Sequence, residues 1–269
     1  MSDGVLIAVL NNTLYKSERN QTMQKYQKNR RRFLAQVLIT GGAVSLPVIA
    51  GLHRASAQTG DPLRIGIIGS GRIGGSVGLR WAEAGHQILF SSRNPNQLGE
   101  LVEQAGGNAQ AGYPADAAEF GDVVLIAVPY GATPQVGRDY APLMQGKIVI
   151  DCGNPRADRD GPMADDAIER GTGVASADYF PGVRLVRAFN AVSAQMVENE
   201  AHRQGELIAI PIASDDSQAI AVTERLVRDA GFDPVVVGGL SRAREFDRGT
   251  DVYVRGLTAS QMRAALGLP

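Results

Sequence analysis

Residues 64–78 read Arg-Ile-Gly-Ile-Ile-Gly-Ser-Gly-Arg-Ile-Gly-Gly-Ser-Val-Gly, and this stretch decides the fold. A short apolar strand, Leu63–Ile68, runs straight into a glycine turn that opens a helix over Arg72–Ala84. Gly69, Gly71 and Gly74 have the G-x-G-x-x-G spacing of a dinucleotide-binding turn. The first glycine permits the tight turn, the second clears room for a pyrophosphate, and the third lets helix and strand pack closely. The free N–H groups and positive end of the helix would receive the phosphates. Gly69, Ser70, Gly71, Arg72, Ile73 and Gly74 are therefore candidate cofactor contacts. The alternative is a glycine turn that only joins strand to helix. Arg72 reads equally as a pyrophosphate contact or a solvent-facing side chain.

Outward from this turn, strands and helices alternate. Strands are expected at Gln87–Ser91, near 107–111, at Asp122–Val128 and at Lys147–Asp151. Helices are expected at Pro95–Ala105, around Pro114–Phe120 and within Tyr130–Leu143. Asp122–Val128 is a near-continuous apolar run, as a parallel strand covered on both faces requires. Beyond it come a short helix at Asp165–Arg170, strands at Arg184–Phe189, Leu207–Ala213 and Pro234–Val237, and helices at Ser193–Arg203 and Ser217–Ala230. One small helix near Ser260–Leu266 ends the chain. The pattern is α/β: a Rossmann-type doubly wound, mostly parallel sheet with a short C-terminal extension.

In the NAD form of this turn an acidic residue about 20 positions on binds the ribose hydroxyls. Here the second strand ends in Phe90-Ser-Ser-Arg-Asn94, with no carboxylate. Ser92 and Arg93 suit a 2′-phosphate, the arginine through its planar fork, which favours NADP over NAD. A polar turn carrying an exposed arginine is the plainer reading.

The 269 residues carry a net charge of −1, which gives no reason to expect nucleic acid. A single cysteine, Cys152, excludes an internal disulfide and a cysteine metal cluster, and His53, His86 and His202 are the whole histidine supply. Lys147 is the one lysine beyond the N-terminal segment. That segment is basic up to Asn29-Arg-Arg-Arg-Phe-Leu34, uncharged over residues 33–52, and ends in Ala55-Ser-Ala57. This order reads as a twin-arginine export signal cut after Ala57, placing the mature protein in the periplasm. An uncleaved membrane anchor through residues 33–52 and a buried helix are the other readings. Met23 would begin a compact signal, so the start lies at Met1 or Met23. The division expected is 1–57 signal, 58–62 linker, 63–246 NADP-binding oxidoreductase domain and 247–269 tail.

Six stretches, in order, resemble a known family: Ile65-Gly-Ile-Ile-Gly-Ser-Gly-Arg-Ile-Gly74, Ser91-Ser-Arg-Asn-Pro95, Val124-Leu-Ile-Ala-Val-Pro129, Lys147-Ile-Val-Ile-Asp-Cys-Gly-Asn-Pro155, Val186-Arg-Ala-Phe-Asn-Ala-Val-Ser-Ala194 and Ile212-Ala-Ser-Asp-Asp216. They resemble the coenzyme F420-dependent NADP oxidoreductases and the related NADP-binding domain of membrane ferric reductases. The resemblance implies hydride transfer between NADP(H) and a flat acceptor, a flavin or F420-type deazaflavin. It puts Val128, Pro129, Asn154 and Pro155 beside the nicotinamide, and Asn190 and Ala191 on the acceptor side. Such transfer needs orientation and exclusion of water more than a general base. The residues agree: no Tyr-x-x-x-Lys pair exists, and Lys147 starts a strand, so no catalytic residue and no metal site are expected. The partners expected are a small-molecule acceptor, the twin-arginine export machinery and a homodimer contact through the tail. Export of such an enzyme is unexpected, because the periplasm has no evident NADPH supply, and a dinucleotide bound tightly before export is one explanation. A non-catalytic NADP-binding module, serving as sensor or electron-transfer partner, is the competing class.

Overall fold

Alternate residues of the central strands face opposite sides of one sheet, and both sides are apolar. Ile65, Ile67, Val123, Leu125, Ile148, Ile150 and Val186 build one core, and Ile68, Val124, Ile126, Val149 and Leu185 build the other. A strand buried on both faces must be apolar at every position, which is why these runs carry no polar alternation. The computed structural model describes residues 60–269; the export signal expected over 1–57 lies outside the described residues.

The described strands are β1 (Arg64–Ile68), β2 (Gln87–Ser91), β3 (Ala109–Gly112), β4 (Val123–Ile126), β5 (Ile148–Asp151), β6 (Arg184–Arg187), β7 (Ala209–Ala213) and β8 (Asp233–Gly238). Their spatial order is β3-β2-β1-β4-β5-β6-β7-β8. The first six are mutually parallel and follow the 3-2-1-4-5-6 order of a dinucleotide-binding sheet. The order reverses between β1 and β4, so the ligand crevice lies beyond their carboxyl ends.

The helices are α1 (Arg72–Glu83), α2 (Gly99–Ala105), α3 (Pro114–Phe120), α4 (Thr133–Tyr140), α5 (Ala157–Asp160), α6 (Pro162–Arg170), α7 (Thr172–Tyr179), α8 (Ala194–Glu200), α9 (Ser217–Asp229) and α10 (Ala259–Ala265). The helix expected at Pro95–Ala105 begins as a 3-10 turn at Pro95–Leu98. α5, α7 and a 3-10 turn at Leu240–Phe246 are additional to the sequence reading.

β7 departs from the parallel order. It runs antiparallel to β6 and meets it at a single pair, Arg187 with Ala213, while pairing with β8 along its length. Pro211 at its centre has no N–H to give to a ladder. Residues 247–269 return to this end of the sheet: Val252 joins Ala213, Val237 and Phe246 in one cluster, and Met262 packs on Ala209 and Val235.

Two polar side chains brace the far end from the crevice. His86 is fully buried, accepts from the Leu63 N–H through Nδ1 at 3.1 Å, and meets Asp229 through Nε2 at 2.9 Å. Burial, opposed by Asp229, leaves its pKa below the ordinary 6.5. Protonation therefore favours the unfolded chain. This contribution to stability is complete above about pH 6.5 and is lost as pH falls from there toward the lower folded pKa. Replacing His86 by Gln should flatten the fall in melting temperature between about pH 7.5 and about pH 5.5. An equally steep fall in the variant would show that other groups set the slope.

Candidate functional site

The chain leaves β1 through Gly69, whose φ of +98° is in the left-handed region. The turn is pinned to the next strand by Ser70 N–H donating to Ser91 O at 2.9 Å. A Cβ on Gly69 would stand 2.7 Å from Ala127 O, and one on Gly74 2.2 Å from Gly69 O, so the protein's own packing requires both glycines. Gly71 is different. A Cβ there would meet nothing within 4 Å among the described residues. Its missing side chain serves no contact with them and leaves a cradle open at the start of α1. Gly71 is also the N-cap of α1 and offers no side chain to the free N–H groups. These groups and the helix dipole suit an anionic pyrophosphate. Ser70 adds a buried Oγ with no partner among the described residues. Arg72 is exposed and Ile73 half-buried.

The end of β2 lies beside this turn. Ser92 N–H donates to Gly112 O, and Ser92 Oγ accepts from Asn94 N–H at 2.9 Å, leaving the hydroxyl proton free to donate. Arg93 is exposed and makes no ion pair or hydrogen bond among the described residues. The turn thus presents a fork and a hydroxyl, with no carboxylate.

The ends of β4, β5 and β6 continue the same edge. Val128 is half-buried and Pro129 exposed, at the start of a 3-10 turn, Tyr130–Ala132. Asn154 Nδ2 donates to Asn190 O at 2.8 Å, which ties the β5 and β6 loops together, and Pro155 is buried. Asn190 Nδ2 in turn approaches Asn154 Oδ1 at 3.4 Å and Phe246 O at 3.3 Å, while its Oδ1 is buried with no partner among the described residues. Ala191 sits in the apolar cluster under the tail, with its carbonyl accepting from Val254 N–H at 2.9 Å. Of the two acceptor-side candidates, only Asn190 brings a polar group to this edge. Phe189 just before it has φ of +59°, a conformation that costs a non-glycine residue of order 1–3 kcal/mol. Its ring is fully buried edge-on against Trp81, with centroids 5.5 Å apart.

Behind these loops lies an ionic cluster that the motifs do not reveal. Arg187 at the end of β6 is fully buried, with Nη1 2.7 Å from Asp151 Oδ2 and Nη2 3.3 Å from Asp247 Oδ1. Nη2 also donates to Gly153 O at 2.7 Å. Burial works to discharge this guanidinium, but Asp151 and then Asp247 outweigh it, so its pKa is raised and the cation is held. Asp151 is reached by a relay in which Tyr130 OH donates to Ser176 Oγ at 3.0 Å and Ser176 Oγ donates to Asp151 Oδ2 at 2.7 Å. Asp247 takes the Thr172 hydroxyl and comes within 3.3 Å of Asn190 Nδ2.

Several titratable residues take no chemical part. Burial and Asp151 raise the Tyr130 phenol above its usual range, and burial pushes the Cys152 thiol up to about 12, so neither ionises near neutrality. Lys147 Nζ is spent on Ala118 O and Glu119 O, at 2.7 and 2.9 Å. Among the described residues no group of His, Cys, Asp and Glu could hold a metal ion. The edge can bind and orient a dinucleotide. Among the described residues it presents no lysine or histidine as a general base.

Residues 64–155 match the family described as NADP oxidoreductase, coenzyme F420-dependent. Metalloreductase STEAP3 of Rattus norvegicus is 27% identical over 192 residues, covering 68% of this chain and 36% of that protein. The chain thus matches only about a third of the length of this curated relative. A hypothetical protein from Sinorhizobium meliloti superposes with a TM-score of 0.60 at 25% identity, covering 73% of this chain and 94% of the other. A putative F420-dependent NADP reductase from Arthrobacter shares the fold, with a TM-score of 0.58 at 21% identity over 68% of this chain and 87% of that one. The matches bear out the resemblance read from the motifs, to NADP-dependent oxidoreductases.

Proposed function

We propose, from the premise that this chain is a relative of the coenzyme F420-dependent NADP oxidoreductases, that it passes a hydride from NADPH to a flat flavin-like or F420-type acceptor. The observation that carries the reading is Gly71, whose absent side chain opens a cradle at a helix N-terminus that no atom of the described residues fills. In this reading the first turn of α1 holds the pyrophosphate, and Ser92 and Arg93 take the 2′-phosphate. Val128, Pro129, Asn154 and Pro155 flank the nicotinamide, and Asn190 borders the acceptor. The bound dinucleotide would supply the hydride. The chain supplies alignment of the two rings and shelter from water, contributions that together remove much of the barrier without a protein base. The scarcity of acid–base groups along this edge therefore fits the chemistry.

The length of the curated relative favours a second reading. A segment matching 36% of a metalloreductase could work as an NADP-binding module that hands electrons to another protein. Turnover separates the two. The purified chain should oxidise NADPH with at least one of F420, FMN, FAD or a ferric chelate. Dinucleotide binding without turnover of any acceptor would select the module. Arg93→Asp should lower the preference for NADPH over NADH by about 10- to 100-fold, since it replaces a phosphate fork with a ribose-binding carboxylate. An unchanged preference would place the 2′-phosphate elsewhere.

A further inference from the structure

We propose that Asp247 is a positioning residue that fixes the Asn190 amide and, as the unbalanced carboxylate of a buried trio, biases the cleft toward the oxidised dinucleotide. The inference rests on the dinucleotide reading above. Arg187 and Asp151 have fully buried side chains and that of Asp247 is 15% exposed. Every partner of the Asp247 carboxyl group is a donor: Arg187 Nη2, Asn190 Nδ2, and the Thr172 N–H and hydroxyl. The same holds for Asp151, which accepts from Gly153 N–H, Ser176 Oγ and Arg187. One guanidinium thus faces two carboxylates, and one negative charge is left over.

The charged groups around the trio leave this excess in place. Arg156 pairs with Asp158 and Arg159 with Asp160, and Tyr130 and Cys152 stay neutral. Arg244, which donates to Glu169 O, and Arg248 have no carboxylate partner among the described residues, but both are exposed to solvent, where screening weakens them. The two carboxylates each sit one hydrogen bond behind the loops assigned to the nicotinamide and the acceptor, Asp151 accepting from Gly153 N–H and Asp247 from Asn190 Nδ2. Oxidised and reduced dinucleotides differ there by a positive charge on the ring. A buried negative charge favours the cationic form, and so favours release of the hydride together with its electron pair to the acceptor. In protein surroundings a unit charge at such range is worth on the order of tenfold in relative affinity.

The test is the ratio of two dissociation constants on the full chain, NADP+ by calorimetry and NADPH by its fluorescence. In D247N the ratio of the NADP+ constant to the NADPH constant should rise about tenfold. Thr172→Val removes a partner of Asp247 but keeps the charge, so it should leave the ratio at the wild-type value even if the melting temperature falls. If D247N does not fold, D247S must show the same rise. An unmoved ratio in the Asp247 variant, or an equal rise in Thr172→Val, overturns the proposal while leaving the function intact. A wild-type chain that binds neither dinucleotide overturns both.

Discussion

Gly71→Val is expected to reduce NADP(H) affinity on the order of 100-fold or more, because its branched side chain occupies the approach path of the pyrophosphate. The fold should hardly respond. A Cβ at this position meets no atom of the described residues within 4 Å, and φ of −78° with ψ of −156° lies in extended space open to any residue. The melting temperature should stay within about 3 °C of wild type, as for a surface substitution. Gly74→Ala gives the contrast, since its Cβ would lie 2.2 Å from Gly69 O and must displace backbone. That variant should lose stability and affinity together. Calorimetry and dinucleotide titration on the pair separate a glycine kept for a ligand from one kept for packing. Full affinity in Gly71→Val would remove the main support for the proposed function.

Arg187→Met should be the most destabilising single change, at about 3–5 kcal/mol, because it leaves the buried Asp151 and Asp247 carboxylates without their cation. For a domain of this size that corresponds to a fall of about 10 °C or more in melting temperature. The size of the loss does not measure the worth of the ion pair. It measures a stranded charge, so a compensating double change tells more. Arg187→Met with Asp151→Val restores neutrality to half the cluster and should recover part of the loss. A single variant as stable as wild type would mean that water or rearrangement reaches the pocket.

The sheet was legible because its information is local. Ile65–Ile68 and Val123–Ile126 announce strands buried on both faces, and the glycine spacing fixes where the first helix begins. The antiparallel course of β7 was not legible, since an apolar run such as Ala209–Ala213 reads the same in either direction. α7, Thr-Gly-Val-Ala-Ser-Ala-Asp-Tyr, was missed because small residues on every side leave no apolar stripe to count. Within the candidate site, the turn residues and Asn190 were proposed from motifs. Arg187 and Asp247 were not, because they lie 60 residues apart. Nothing in the β6 strand Arg-Leu-Val-Arg distinguishes its half-buried first arginine from its fully buried last one. Pairing of that kind is a product of topology.

Trp81 lies in the core away from the mouth of the cleft. Its indole N–H is anchored to Leu226 O at 2.8 Å, its ring abuts Phe189, and both rings are inaccessible to solvent. Trp81 belongs to the helix that starts at the proposed phosphate cradle, and Phe189 precedes the asparagine of the proposed acceptor end. Close-packed interiors do not compress. In the proposed function the aromatic pair would then be a spacer between the two ends of the cleft, so that the reach from phosphate to hydride would be measured out in the core rather than by the loops at the mouth.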